Sequence, residues 1–138
     1  MKRLSALVAL AAAISPMAWA ASLDLTISNV ESADGQIRIA VFDSQEGWQG
    51  NAAVRTAVVD AEAGSVRITL DGLQPGMLGI KLYHDADDDG DLDTGNFGIP
   101  SEPYGFSNDA PVRLGPPAWK QARFTLGEGA SAHSITLR

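Results

Sequence analysis

Alternation is the feature that most constrains what this chain can become. Leu23-Asp24-Leu25-Thr26-Ile27 and Val66-Arg67-Ile68-Thr69-Leu70 place an apolar residue at every second position. Gln36 to Phe42 repeats the pattern, with Ile37, Ile39 and Val41 on one face. A period of two buries one face of a strand and leaves a helix without an apolar stripe. Residues 53–60 and 77–83 read as further strands, the second with Leu78, Ile80 and Leu82 facing one way. Residues 119–126 and 134–137 close the chain as two more. Asp34-Gly35 is a tight-turn pair, so the first two strands are expected to form a β-hairpin. Asp43 to Ala52 reads as a loop anchored by Trp48, and Asp71 to Gly76 as a turn-rich corner. About seven short strands with turns between them predict an all-β fold, a seven-stranded antiparallel β-sandwich of immunoglobulin-like or transthyretin-like type.

The first twenty residues stand outside that pattern. Lys2 and Arg3 precede an apolar run from Leu4 to Ile14, and Ala18-Trp19-Ala20 follows as an A-x-A cleavage site. This is the arrangement of a secretory signal peptide, cut after Ala20, and the run is too short for a membrane span. Residues 21–138 then form a single sandwich domain, since 138 residues leave room for one core. The expected location is periplasmic or secreted, with no membrane anchor. The chain has no cysteine, which rules out disulfides, thiolate metal sites and a lipid-bearing cysteine after the leader. Past residue 20 there are 8 basic and 17 acidic side chains. Such a surface repels phosphate backbones, so no nucleic acid partner is expected. The chain is expected to be a monomer.

Most of the acidity sits in one place. Between Asp85 and Asp93, six of nine residues are aspartate and none is basic. Carboxylates this close repel, so the segment needs a cation or must stay open and hydrated. The spacing favours the cation. Asp85, Asp87 and Asp89 occupy positions one, three and five of a D-x-D-x-D-G run, and Gly90 takes the sharp turn at six. Asp91 would offer its carbonyl at seven, and Asp93 sits at nine, often a ligand through water. At position twelve stands Asn96, where a helix-loop-helix site has Glu; Glu102 is available to fold back as a substitute. Hard oxygen ligands in a flexible cage favour Ca²⁺ over Zn²⁺, Cu²⁺ or Mg²⁺. The competing reading is a solvated Asp/Gly turn without an ion.

The segment from Asp85 to Pro117 is long and irregular, with five glycines and five prolines, and a loop of that length is functional or tied down. Tyr104, Phe106 and Asn108 either line a ligand surface or plug the end of the sandwich and cap the loop. His84 is read as a packed, hydrogen-bonded residue at the loop base in preference to a ligand or base. Nothing around His133 points to chemistry. Ser107 lies in no G-x-S-x-G elbow, and no glycine-rich phosphate loop occurs. Trp48 and Trp119 read as anchors.

The run from Leu73 to Phe106, with Pro75-Gly76, His84-Asp85, the aspartate loop and Gly98-Ile99-Pro100-Ser101-Glu102-Pro103-Tyr104-Gly105-Phe106-Ser107-Asn108, resembles a bacterial exported family catalogued as domain of unknown function 2141. The resemblance extends over the whole chain past the leader. It implies a secreted or periplasmic β-sandwich with no established enzyme activity. Two features depart from the family pattern: Leu78 stands where an aromatic is usual, and Asp87 and Asp89 replace asparagines. The second change favours a cation. The Pro-Gly strand is also similar to transthyretin-like and carboxypeptidase-regulatory-like modules.

Three functions are open to such a chain. The first is a non-enzymatic exported module, stapled by calcium, that presents a surface to a protein or glycan. The second is a small calcium-assisted hydrolase of glycans, which requires two carboxyls set across a cleft. The third is a subunit that pairs a sheet edge with a partner strand. The first is favoured, because one dense acidic site lacks a nucleophile and base beside it.

Overall fold

The computed structural model describes residues 12–13, 20–95 and 99–138. The expected signal peptide therefore lies almost wholly outside the described residues, as does Asn96. Among the described residues, eight strands make two sheets. A three-stranded sheet runs β4 (Gly64–Leu73), β1 (Ala21–Val30), β8 (Ala130–Thr136). A five-stranded sheet runs β3 (Arg55–Asp60), β2 (Gln36–Phe42), β5 (Gly76–Asp85), β6 (Tyr104–Phe106), with β7 (Phe124–Leu126) paired to the start of β5.

The alternation works as the period-two argument requires. Leu23, Leu25, Ile27, Ile37, Ile39, Val41, Leu78, Ile80, Leu82 and Ile135 are all buried in one cluster between the sheets. Each such side chain contributes about 1.5–3 kcal/mol on leaving water. The architecture is thus an all-β sandwich, with one correction to the count: eight strands, not seven.

Three further expectations give way to tertiary packing. The first two strands are not a hairpin. β1 pairs with β4 and β8, while β2 pairs with β3 and β5, so the Asp34-Gly35 turn carries the chain from one sheet to the other. Alternation says which face of each strand is buried, and two such faces are satisfied equally well across a sandwich or side by side. Nor is the pairing wholly antiparallel: β8 runs parallel to β1, Leu25 opposite His133 and Ile27 opposite Ile135. Residues 119–126 are not one strand. Trp119–Ala122 is a short helical turn, α2, and only Phe124–Leu126 is extended. Trp119 and Ala122, three residues apart, are both buried, which is the spacing of a helical turn.

Two pieces of structure arise where loops are expected. Gln45–Gly50 forms helix α1, capped by Ser44 Oγ accepting from Gly47 N at 3.0 Å and closed by Asn51 with φ 55°. Tyr104–Phe106 forms β6 on the edge of β5. Gly105 allows this close approach, since a Cβ there would lie 2.7 Å from Ile135 Cγ2. A second apolar cluster of Phe42, Trp48, Ala110, Trp119 and Ala122 covers part of the outer face of the larger sheet.

Candidate metal centre

The register of β2, β5 and β6 sets the stage. Ala40, Lys81 and Phe106 share one row across the sheet, and Arg38, Tyr83 and Tyr104 the next row two residues on. Gln36 and Asp85 follow at the end of β5. Alternation puts all of these on the face opposite the main core. Arg38 therefore reaches diagonally to Asp85, with Nε donating to Oδ2 at 2.6 Å. The Asp85 side chain is fully buried.

From Asp85 the backbone wraps around its own carboxylates. Asp89 N donates to Asp85 Oδ1 at 3.2 Å and Gly90 N to Asp85 Oδ2 at 2.9 Å. Asp91 N donates to Asp89 Oδ1 at 2.9 Å. Asp88 and Gly90 take positive φ of 56° and 85°, the bends that fold the loop back. Tyr83 Oη donates to the Gly90 carbonyl at 2.8 Å. Glu102 closes the ring from the far side: Oε1 accepts from Ala86 N at 3.1 Å and Oε2 from Asp93 N at 3.0 Å. The described residues next to Asp93 and Glu102 also pair, with Thr94 bridging Pro100 and Ser101 N donating to the Asp93 carbonyl at 2.8 Å.

Two groups of carboxylates converge. Asp85, Asp87 and Asp89 offer oxygens within 4.8 Å of one another, and so do Asp87, Asp93 and Glu102. Asp87 belongs to both, so it stands at the centre of the acidic ring. Desolvation inside the loop, together with Asp93 and Asp85, raises the Asp87 pKa to about 6 from the ordinary 3.8. Asp93 is also raised: a hydrogen bond with Asp87 acts against the rise, and desolvation with the charges of Asp89 and Glu102 outweighs it. Asp85 moves the other way. Burial opposes its charge, but Arg38 and the amides of Gly90 and Asp89 hold its pKa below the usual range. The same contact raises Arg38.

Of the expected metal residues, Asp85, Asp87, Asp89, Asp93 and Glu102 are brought together. The Asp91 carboxylate belongs to neither group. Asp88 leans to Arg38 Nη2 at 3.5 Å. Arg38 and Tyr83 escaped the sequence reading: each sits at an outward position of a strand, and nothing local marks its partner 47 or 7 residues away.

The aromatic residues past the loop serve mostly as struts. Tyr104 and Phe106 are half-buried and meet edge-on at 5.9 Å, and Phe106 leans on Trp48 at 6.1 Å. Asn108 spends both amide protons on the carbonyls of Gln121 and Arg123, at 3.0 and 2.9 Å. Ser107 is buried, with Oγ donating to the Ala122 carbonyl and accepting from Ile80 N at 2.9 Å. His84 is buried, with Nε2 at 2.6 Å from the Asp34 carbonyl. His133 stacks on Phe124 at 4.1 Å and accepts from Asn108 N.

The structure thus defines an eight-stranded β-sandwich carrying a ring of carboxylates at the end of a central strand. Over residues 25–134 the chain matches the family described as an uncharacterized protein conserved in bacteria, DUF2141, and it belongs to that family. Neither the curated proteins nor the solved structures gave a match.

Proposed function

We propose that this chain is an exported, non-catalytic module whose acidic loop takes up Ca²⁺ and is stapled by it. The observation that carries the reading is Asp87: its carboxylate belongs to two converging carboxylate groups, where desolvation and its acidic neighbours raise its pKa to about 6. Five side chains, Asp85, Asp87, Asp89, Asp93 and Glu102, would supply oxygen ligands, with the Asp91 carbonyl and Asn96 completing the shell. An all-oxygen, flexible cage of this kind suits Ca²⁺ better than the strictly octahedral Mg²⁺. Calcium outside the cytoplasm is abundant enough to fill even a millimolar site. With the loop held, the half-exposed Tyr104 and Phe106 present a surface to a protein or glycan, and Asn108 fixes the segment behind them. The immunoglobulin-like or transthyretin-like type of the sandwich, and residues 1–20 as a cleaved leader, belong to the same proposal.

The non-catalytic reading draws on the grouping of the acids. Glycoside hydrolysis sets two carboxyls about 5–9.5 Å apart around the scissile bond. Here the carboxylates converge within one loop, and Asp85, Asp89 and Glu102 carry its amides.

Thermal unfolding in EDTA, then with Ca²⁺ and separately Mg²⁺, tests the staple. Ca²⁺ at about one hundred times its Kd should add about 2.7 kcal/mol by mass action. The gain should vanish in an Asp87→Ala/Asp89→Ala variant. An unchanged midpoint at millimolar Ca²⁺ would overturn the reading.

A further inference from the structure

The outer face of the larger sheet holds a second site, which shares no residue with the acidic ring. A cleft of about 440 Å³ opens between α1 and the segment before α2, and a smaller one of about 250 Å³ adjoins it, the two sharing Pro116, Pro117 and Ala118. Lys81 and Lys120 line the first and Arg113 the second. These are both lysines past residue 20, and three of the eight basic residues there. None of the seventeen acidic side chains lines either cleft. Among the described residues, none of the three cations has a carboxylate oxygen within 4.0 Å. In a chain this acidic, two clefts that meet at one segment and are lined by cations without a carboxylate partner are an asymmetry that asks for an anion.

The groove is also preformed. Trp48 Nε1 donates to the Pro117 carbonyl at 2.9 Å, and Trp48 meets Trp119 at 5.9 Å, so the two walls are tied together beneath the opening. Lys81 is held in place by the Trp48 carbonyl at 2.8 Å and by the rings of Phe42 and Trp48, 4.7 and 4.6 Å from its Nζ. It is partly desolvated, which lowers its pKa and strengthens its attraction to any anion that arrives.

We propose that these two clefts together bind an acidic oligosaccharide, with its carboxylates on Lys81, Lys120 and Arg113. The remaining lining decides between a sugar and an acidic peptide. An extended peptide needs a row of free backbone donors and acceptors, and prolines 116 and 117 carry no N–H to offer. The exposed amides of Gln45 and Gln49 both donate and accept, which matches hydroxyl groups.

Isothermal titration of the full chain with tri-galacturonate tests this. Saturable binding is expected, weakened by salt and lost with the methyl-esterified trisaccharide. Lys120→Met and Arg113→Met, both at exposed positions, should each weaken it about tenfold or more. Arg67→Met on β4 should leave it unchanged. Absence of heat up to about 10 mM ligand, equal binding of the ester, or undiminished binding by both folded groove variants would overturn the proposal. So would tri-glutamate or inorganic phosphate binding as tightly as the saccharide. The titration run in EDTA and again in Ca²⁺ separates this site from the calcium staple, since either can fail alone.

Discussion

Arg38 and Lys81 stand on the same face of the same sheet, on neighbouring strands, and meet opposite circumstances. Arg38 finds Asp85 at 2.6 Å and Asp88 at 3.5 Å, and its charge is consumed within the fold. Lys81 finds a carbonyl, an amide oxygen and two aromatic rings, and no carboxylate. At the Arg38 end the surplus is negative, six aspartates against one guanidinium. At the Lys81 end the clefts are lined by three cations and no carboxylate. Charge that the fold leaves unneutralised is what a ligand can use, so one end is suited to a cation and the other to an anion. The two ends also differ in what holds them. The cationic end rests on buried tryptophans; the acidic end rests on hydrogen bonds to carboxylates.

Substitutions can break this contrast one end at a time. Trp48→Ala removes the indole that joins α1, Pro117 and Lys81, and should cost about 3–5 kcal/mol in denaturant unfolding, with or without Ca²⁺. Gly79→Ala strikes the same end from below. The new Cβ would lie 2.7 Å from Trp119 Cζ3 and 3.0 Å from Trp48 Cζ3, an overpacking worth about 1–3 kcal/mol. Neither change should alter the shift in Tm that Ca²⁺ produces. Arg38→Met addresses the acidic end. It leaves the buried Asp85 without its cation, so the midpoint in EDTA should fall and Ca²⁺ should restore more of it than in the parent chain. A Ca²⁺ response that is unchanged in Arg38→Met would uncouple the arginine from the ring.

The smallest effect is one of pH. Asp87 titrates near 6 in the fold against an ordinary 3.8, so the folded state holds the proton more tightly than the unfolded one. Without metal, Asp87 therefore weakens the fold as pH rises from about 4 to about 6. Asp85 has the opposite sign: its lowered pKa supplies stability above about 3.8 that is lost as pH falls below it. Calcium must displace the Asp87 proton. The Ca²⁺-induced rise in Tm should accordingly be full at about pH 7.5 and reduced at about pH 5. Equal rises at both values would remove Asp87 from the centre of the site.

The acidic ring was largely legible in the chain. D-x-D-x-D-G spacing and an acidic residue downstream were enough to nominate Asp85, Asp87, Asp89, Asp93 and Glu102 as one cluster, because residues of one loop lie close in sequence. The cationic groove was not legible. Lys81, Arg113 and Lys120 are scattered along the chain, and only the docking of the 116–119 segment on α1 makes them neighbours.

The same division holds for the fold. By itself the sequence determined which strand faces are buried, where the turns fall, and that one segment must manage six like charges. Those properties depend on residues two to ten positions apart. Only the tertiary structure decided that β1 and β2 part into different sheets, that β8 lies parallel to β1, and that residues 119–122 coil. The physical reason is that a half-apolar strand reports that it has a partner, and not which one. That choice is made by the packing of the whole core, where Ile135 comes to lie beside Ile27 across more than a hundred residues of chain.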